Sequence, residues 1–383
     1  MTIDIQTIVL FAIPAIVTFC LTPLVIRFAG AVGALDCPNE RKIHREPTPR
    51  LGGLAICAGF LCALLLPSLL PQTAPSSSWI FSEKGGLLMT SLLVVFLLGV
   101  WDDIRPLSPG RKFLVQLLAA SIAYMAGFRI SSVTSPLGEG LLDLGLFDYP
   151  VTILWIVGVS NAFNLIDGLD GLATGVGIIA SLTMFTISFL NGDWATALPV
   201  LGLAGALSGF LWYNFHPARI FMGDSGSLFI GFTLALFSMQ SSTKGSTAFT
   251  ILVPVLALGL PIMDTLLSMV RRFIHSLLMD EEQPTPFFRK LTAMFLPDRK
   301  HIHHQLVALG LSHRNVVLVL YCVSFALGVG AFSVTVMNNV GASLVLAAVA
   351  FATVAGIRQL QYKEMAILRN GLLLPIYEWP VLN

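Results

Sequence analysis

Apolar stretches long enough to cross a bilayer recur along this chain at about residues 5–29, 51–70, 85–101, 111–128, 149–165, 170–190, 195–213, 225–242, 248–269, 314–336 and 341–357. A hydrocarbon core about 30 Å thick takes roughly 20 apolar residues as a helix. The pattern therefore predicts an all-α, polytopic integral membrane protein of about eleven transmembrane helices, the shorter stretches lying nearest the limit. An odd number places the termini on opposite sides, and basic residues decide which is which. With the N-terminus outside, all but three of the 22 Lys and Arg residues fall on the cytoplasmic side, the exceptions being Lys84, Arg129 and Lys244. The C-terminus is then cytoplasmic. No internal repeat is visible, and residues 1–383 read as a single membrane-embedded domain. Its longest cytoplasmic loop, about 272–313, carries Phe287-Phe-Arg-Lys-Leu-Thr-Ala-Met-Phe-Leu296, whose alternation of apolar and basic residues predicts a short interfacial helix.

Composition agrees with a membrane protein. The chain is 55% hydrophobic and only 11% charged, against about 25% charged residues in soluble domains. Its five cysteines form no CxxC pair and lie mostly in apolar runs, which argues against a disulfide framework or a zinc knuckle. The N-terminus lacks a basic leader and a small-residue cleavage site, so no cleaved signal peptide is expected. A net charge of +1 excludes little about partners.

The polar residues that interrupt this apolar chain are concentrated at one membrane face. Intramembrane charge costs about 2.5–3.5 kcal/mol per residue at a helix centre, so such clusters usually mark a site. Asp102 and Asp103 end the third stretch, with Arg105, Arg111 and Lys112 downstream. Two adjacent carboxylates can bind Mg²⁺ or accept a proton, or they can simply be an acidic helix terminus. Asp224 lies in Phe221-Met-Gly-Asp-Ser-Gly-Ser227, between glycines that let backbone approach a ligand. It suits a metal held by one or two carboxylates and substrate phosphates, or an ordinary turn. Asn164, Asp167 and Asp170 recur at intervals of three, which lines one side of a helix or turn. They could read a nucleobase or complete a metal shell, while the glycines among them suit close helix packing. His301, His303 and His304 follow Arg299 and Lys300. A closed zinc site wants four ligands and no cysteine is near, so the adjacent cations favour an anion, against the reading of a solvated basic loop. Arg45 and Arg50 lie in a Pro/Gly turn that could clamp a diphosphate, or that merely flanks the second span.

In this order the motifs resemble the polyprenyl-phosphate N-acetylhexosamine-1-phosphate transferase superfamily. They are Pro-Thr-Pro-Arg-Leu-Gly-Gly, Trp-Asp-Asp, Asn-x-x-Asn-x-x-Asp-Gly-x-x-Gly, Phe-Met-Gly-Asp-Ser-Gly-Ser, Pro261-Ile-Met-Asp264-Thr and His-x-His-His. The His-Ile-His-His pattern and the eleventh span look like its WecA/TagO-like branch more than the related MraY, which has ten spans and three consecutive histidines. The resemblance implies transfer of GlcNAc-1-phosphate from UDP-GlcNAc to undecaprenyl phosphate, yielding undecaprenyl-diphospho-GlcNAc and UMP. This would start a cell-envelope polysaccharide at the bacterial inner membrane, with the active site facing the cytoplasm.

Carried onto this sequence, the resemblance makes Asp102, Asp103 and Asp224 catalytic. It has Asp224 and Asn164 hold Mg²⁺, with Mn²⁺ as a substitute, and puts Phe221 against uracil and Asp167 and Asp170 at the nucleotide. Arg299, His301, His303 and His304 would contact sugar and phosphate, with Lys112 and Arg45 as further phosphate ligands. Partners would be the UDP-N-acetylhexosamine, the lipid phosphate, membrane lipids and room for a homodimer, with no nucleic acid. Rival readings are an MraY-type phospho-MurNAc-pentapeptide transferase, a relative using another UDP-sugar, or an ion-coupled transporter. Transporter sites lie near the bilayer midplane in broken helices, often with inverted repeats, whereas these acids lie at one edge.

Overall fold

The computed structural model describes residues 5–36, 47–69, 82–134, 141–242, 252–278 and 301–360. Arg45, Arg299 and the expected interfacial helix at 287–296 lie outside the described residues. Each apolar stretch forms helix: α1 Ile5–Val32, α2 Gly53–Leu69, α3 Glu83–Ile104, α4 Pro109–Met125, α5 Asp148–Ile166, α6 Leu172–Leu190, α7 Trp194–Asn214, α8 Gly223–Ser242, α9 Leu252–Ala257, α10 Gly259–Leu278, α12 His313–Val336 and α13 Asn339–Gln359, with the short α11 Ile302–Ala308 before α12.

Among the described residues, seven helical segments are long and apolar enough to cross a membrane: α1, α3, α5 with the 3₁₀ turn before it, α6, α7, α12 and α13. The other expected spans are helical but shorter or more polar. α2 and α4 have 17 residues each, and α8 is rich in Ser and Gly. The ninth expected span is broken at Leu258, between α9 and α10. Pro261 cannot donate a hydrogen bond back to residue 257, which explains the break. α10 then runs to Leu278, so residues 272–278 belong to a helix and not to the loop expected from 272.

The all-α expectation agrees with a structure that is mostly helix. Two short antiparallel ladders are present, Leu35–Asp36 with Thr48–Pro49 and Ser132–Thr134 with Leu141–Asp143.

α8 is the axis of the bundle. Every residue from Ser225 to Met239 is buried, because other helices enclose α8 on every side. α3, α5 and α2 pack along it, with α6, α7 and α9 making smaller contacts. Small residues permit the close crossings. A Cβ on Gly99 of α3 would overlap the backbone of Asp224 and Ser225, and one on Gly53 of α2 would overlap Gly226. Polar side chains pin α5 to the same axis. Ser160 donates to the Leu228 carbonyl at 3.0 Å, and the Trp155 indole donates to Ser238 Oγ at 3.1 Å. Among the described residues, helix α13 packs mainly along α12, and Ala342 is its one buried residue.

Gly231 tests this arrangement. A Cβ there would sit 2.7 Å from Phe163 Cβ and 2.8 Å from Ser160 Cα. Overpacking of this kind costs about 1–3 kcal/mol, so Gly231→Leu should lower the melting temperature of the detergent-solubilised protein. An unshifted transition would mean that α5 and α8 are not tightly packed there.

Candidate active site

The polar residues converge at one end of the bundle, where α3 and α5 end and α4, α6, α8 and α11 begin. The first carboxylate is spent on the fold. Asp103, buried at the end of α3, accepts the backbone N–H groups of Asp224 at 2.8 Å and Ser225 at 3.0 Å. These are orphan donors in the first turn of α8, and a negative charge there also complements the helix dipole. Gly223 makes the approach feasible. It sits at φ +69°, and a Cβ there would collide with the Asp103 carboxylate and the Arg50 carbonyl. Arg50 lies 3.9 Å from Asp103 and 3.6 Å from Asp36.

With α8 so fixed, Asp224 meets groups from two other helices. Its Oδ2 is 2.7 Å from Lys112 Nζ of α4, and its Oδ1 accepts Asn164 Nδ2 of α5 at 3.1 Å. Asn164 also donates to Ser227 Oγ at 2.8 Å. Lys112 bridges to Asp102 Oδ2 at 2.7 Å, and the other Asp102 oxygen takes the Leu107 N–H at 2.7 Å. Asp102, Lys112, Asn164 and Asp224 are thus one connected set.

Asp167, between α5 and α6, lies within the same field. Burial pushes its pKa up to about 8, and the negative charges of Asp224, Asp103 and Asp170 act the same way against the opposing pull of Arg50. Asp170 has another partner. Its Oδ2 is 2.8 Å from His216 Nδ1 and accepts the Ala218 N–H at 3.0 Å, tying the start of α6 to the loop before α8. The His216 ring stacks on His313 at 5.8 Å. Phe221 is half-buried. Its backbone pairs with the turn before α2, N–H to the Pro49 carbonyl at 2.8 Å and carbonyl to the Gly52 N–H at 3.0 Å.

The three histidines divide. His301 caps α11, its Nδ1 is 2.9 Å from Asp264 Oδ2, and Asp264 Oδ1 accepts the Ile302 N–H at 2.8 Å. His303 is 2% exposed, with an unpartnered Nε2. A Cβ on Gly168 would lie 2.5 Å from that nitrogen, so the ring rests directly on the Asn164–Asp170 turn. Burial, aided by the neighbouring His304, pushes its pKa down to about 3, so the ring is neutral at physiological pH. His304 is exposed. Of the three histidines expected to contact sugar and phosphate, His301 and His303 are packed into the protein and His304 faces outward.

Sequence reasoning missed two features. Gln116, one turn after Lys112 and buried, exchanges hydrogen bonds with Asn161 of α5, Asn161 Nδ2 to Gln116 Oε1 at 2.6 Å and the return bond at 3.4 Å. Its i+4 spacing from Lys112 was the available signal. His216 and His313 carried no signal at all, being 97 residues apart in sequence.

Among the described residues, no group of three or more His, Cys, Asp or Glu side chains forms a metal cage. Asp224, Asn164 and Ser227 offer hard oxygen donors with a single carboxylate, which fits a cation that takes the rest of its shell from phosphates and water. The fold and this site define a helical membrane protein with a carboxylate-and-ammonium centre suited to phosphoryl chemistry. The chain belongs to glycosyl transferase family 4, whose model matches residues 86–242. It is 37% identical over 327 residues to the probable undecaprenyl-phosphate N-acetylglucosaminyl 1-phosphate transferase of Bacillus subtilis, covering 85% of this chain and 84% of that one. It is 36% identical over 363 residues to the decaprenyl-phosphate N-acetylglucosaminephosphotransferase of Mycobacterium tuberculosis, covering 89% and 86%. It is also 31% identical over 306 residues to the phospho-N-acetylmuramoyl-pentapeptide-transferase of Rubrobacter xylanophilus, covering 75% and 83%.

The Asp167 shift has a measurable consequence. An aspartate ordinarily titrates near 3.8, so between about pH 4 and pH 8 the folded protein keeps a proton that the unfolded chain releases. Stability from this group is full below that window and is lost as pH rises through it. Asp167→Asn cannot ionise. Without divalent cation, its melting temperature should gain on wild type steadily from about pH 5 to about pH 8. A constant difference would mean that Asp167 titrates as an ordinary carboxyl.

Proposed function

We propose that this protein transfers N-acetylglucosamine 1-phosphate from UDP-N-acetylglucosamine to a polyprenyl phosphate, releasing UMP and leaving the sugar on a lipid diphosphate. The observation that carries this reading is the Asp102–Lys112–Asp224–Asn164 set, built from four helices at one end of a membrane bundle. A lipid phosphate and a water-soluble nucleotide can meet only at such an interface. The names of relatives at 36–37% identity supply the sugar and the lipid class. The distribution of Lys and Arg supports a cytoplasmic site with the N-terminus outside, in the inner membrane of a bacterium.

The family's general dependence on a divalent metal agrees with the donors present. Asp224 would hold the cation, with Asn164 turning its carbonyl oxygen toward it. Bound there, Mg²⁺ or Mn²⁺ would offset the charge of the diphosphate as the lipid phosphate approaches. The remaining work is positional. Asp102 orients the lipid phosphate or takes its last proton, and Lys112 supplies positive charge to the transferring phosphoryl group. Asp103 supports both by fixing the start of α8. Phe221 offers a face to uracil, Asp167 and Asp170 border the nucleotide, and His301, His303 and His304, with Arg299 and Arg45, serve sugar and phosphate.

A second reading, transfer of phospho-N-acetylmuramoyl-pentapeptide, rests on the Rubrobacter relative. Purified enzyme given undecaprenyl phosphate and a panel of UDP-sugars decides between them. UMP release with UDP-GlcNAc and none with the UDP-MurNAc-pentapeptide supports the first reading, and the reverse overturns it.

Two substitutions test the roles. Asp224→Ala should abolish turnover while the protein still folds, and wild-type turnover at saturating Mg²⁺ would remove Asp224 from the metal site. Phe221→Ala should raise KM for the UDP-sugar. Base–aromatic stacking is worth roughly 1–3 kcal/mol, which is about 5- to 150-fold at about 1.4 kcal/mol per decade. Lost expression with unchanged UMP affinity would mean that Phe221 only packs.

A further inference from the structure

The ammonium of Lys112 is shared equally between two carboxylates on different helices, 2.7 Å from Asp102 Oδ2 of α3 and 2.7 Å from Asp224 Oδ2 of α8. The helix that carries it is anchored. One turn further on, buried Gln116 is locked to Asn161 by a reciprocal pair of amide hydrogen bonds, so α4 holds its position against α5. The flexible part is the four-carbon stem of Lys112, whose side chain is 26% exposed. The other oxygen of Asp224 is taken by Asn164. A divalent cation that binds Asp224 through Oδ2 must therefore compete with an ammonium already bonded to that oxygen. Two cations cannot share one carboxylate oxygen at contact distance without strong repulsion.

We propose that Lys112 is the exchangeable counter-charge of the metal site. A divalent cation at Asp224 displaces the ammonium from that carboxylate, and the displaced ammonium becomes the ligand of the incoming phosphate. Cation binding and phosphate capture are then one coupled event. The proposal rests on the reading of Asp224 as the metal ligand. It has a signature that a purely structural role lacks. Removing Lys112 removes a competitor for the cation and a ligand for the phosphate, so the two affinities must move in opposite directions. Loss of packing would weaken both.

Mn²⁺ binding to the detergent-purified, full-length protein, followed by electron paramagnetic resonance, reads the first affinity. Binding of farnesyl phosphate in the presence of Mn²⁺ reads the second. In Lys112→Gln the Kd for Mn²⁺ should fall about tenfold, while that for farnesyl phosphate rises by a similar factor. Lys112→Arg, which keeps the charge, should stay near wild type for Mn²⁺. The wild-type protein supplies a test that needs no variant. Acylation of Lys112 by an amine-reactive reagent, quantified by mass spectrometry, should increase several-fold when Mn²⁺ is added and fall again with farnesyl phosphate.

An unchanged or weaker Mn²⁺ affinity in Lys112→Gln overturns the proposal, as does acylation indifferent to Mn²⁺. Asp224→Ala separates the two levels of the argument. If it retains wild-type Mn²⁺ affinity, the metal reading is wrong and the proposal goes with it. If it loses Mn²⁺ while Lys112→Gln gains nothing, the metal reading stands and the exchange alone fails.

Discussion

The hydrogen bonds from the Asp224 and Ser225 amides, in the first turn of α8, to the Asp103 carboxylate are what the rest of the site depends on. A buried helix N-terminus exposes unpaired N–H groups, and leaving even one unsatisfied away from water costs about 1–3 kcal/mol. Asp103 answers two of them from another helix, 121 and 122 residues away in sequence. In doing so it fixes the rotation and height of α8 against α3. The glycines complete the fit, Gly99 allowing the helices to touch and Gly223 allowing the chain to enter α8 beneath the carboxylate. Asp224 follows directly, placed within reach of Lys112 and Asn164 by a helix that has no freedom to slide.

This arrangement explains why one end of an apolar bundle tolerates so many acids. A carboxylate that accepts backbone N–H groups is part of the scaffold, and several here are of that kind. Asp102 takes the Leu107 amide, Asp103 the start of α8, Asp170 the Ala218 amide and Asp264 the Ile302 amide. Each staples a loop or helix start to a neighbouring element where helices hand over to one another. Asp224 and Asp167 differ, since no backbone N–H among the described residues bonds to either carboxyl. Asp224 is satisfied by the side chains of Lys112 and Asn164, which can rearrange. Asp167 lies among negative charges that favour its neutral form. The acids free to exchange partners are therefore these two, together with Asp102 through the oxygen that holds Lys112, and the others keep them in place.

The sequence made the apolar helices and the clustering of the candidate residues legible because both are written locally. Runs of apolar residues declare helices, and carboxylates in such runs declare a site by their cost. The division of labour was not legible, because it is set by partners far along the chain. Asp102 and Asp103 are adjacent and look equivalent, yet a helix turns neighbouring side chains about 100° apart, so one meets Lys112 and the other the α8 amides. His301 and His303 look like two of three equal ligands, but Asp264 and Gly168 absorb them into the packing of α11. Pro261 was visible as a helix breaker, though hydropathy alone ran the span through it to 269. The two-residue ladder at Leu35–Asp36 had no signal, since two residues carry no alternation to read.

The buried imidazole of His303 shows how this architecture uses a polar residue without a charge. A cation at its position would repel the ammonium and guanidinium groups that a phosphate needs nearby, and a larger apolar ring would lose the option of donating or accepting a hydrogen bond. Burial keeps the ring neutral, its face stacks parallel to His301 at 5.9 Å, and its edge rests on Gly168, within the turn that joins Asn164 to Asp167 and Asp170. The route from Asp264 through His301 and His303 to that turn is continuous contact. Through it α10 and α11 set the height of the turn beside Asp224. His301 and His303 thus support that turn from behind, while His304 is exposed.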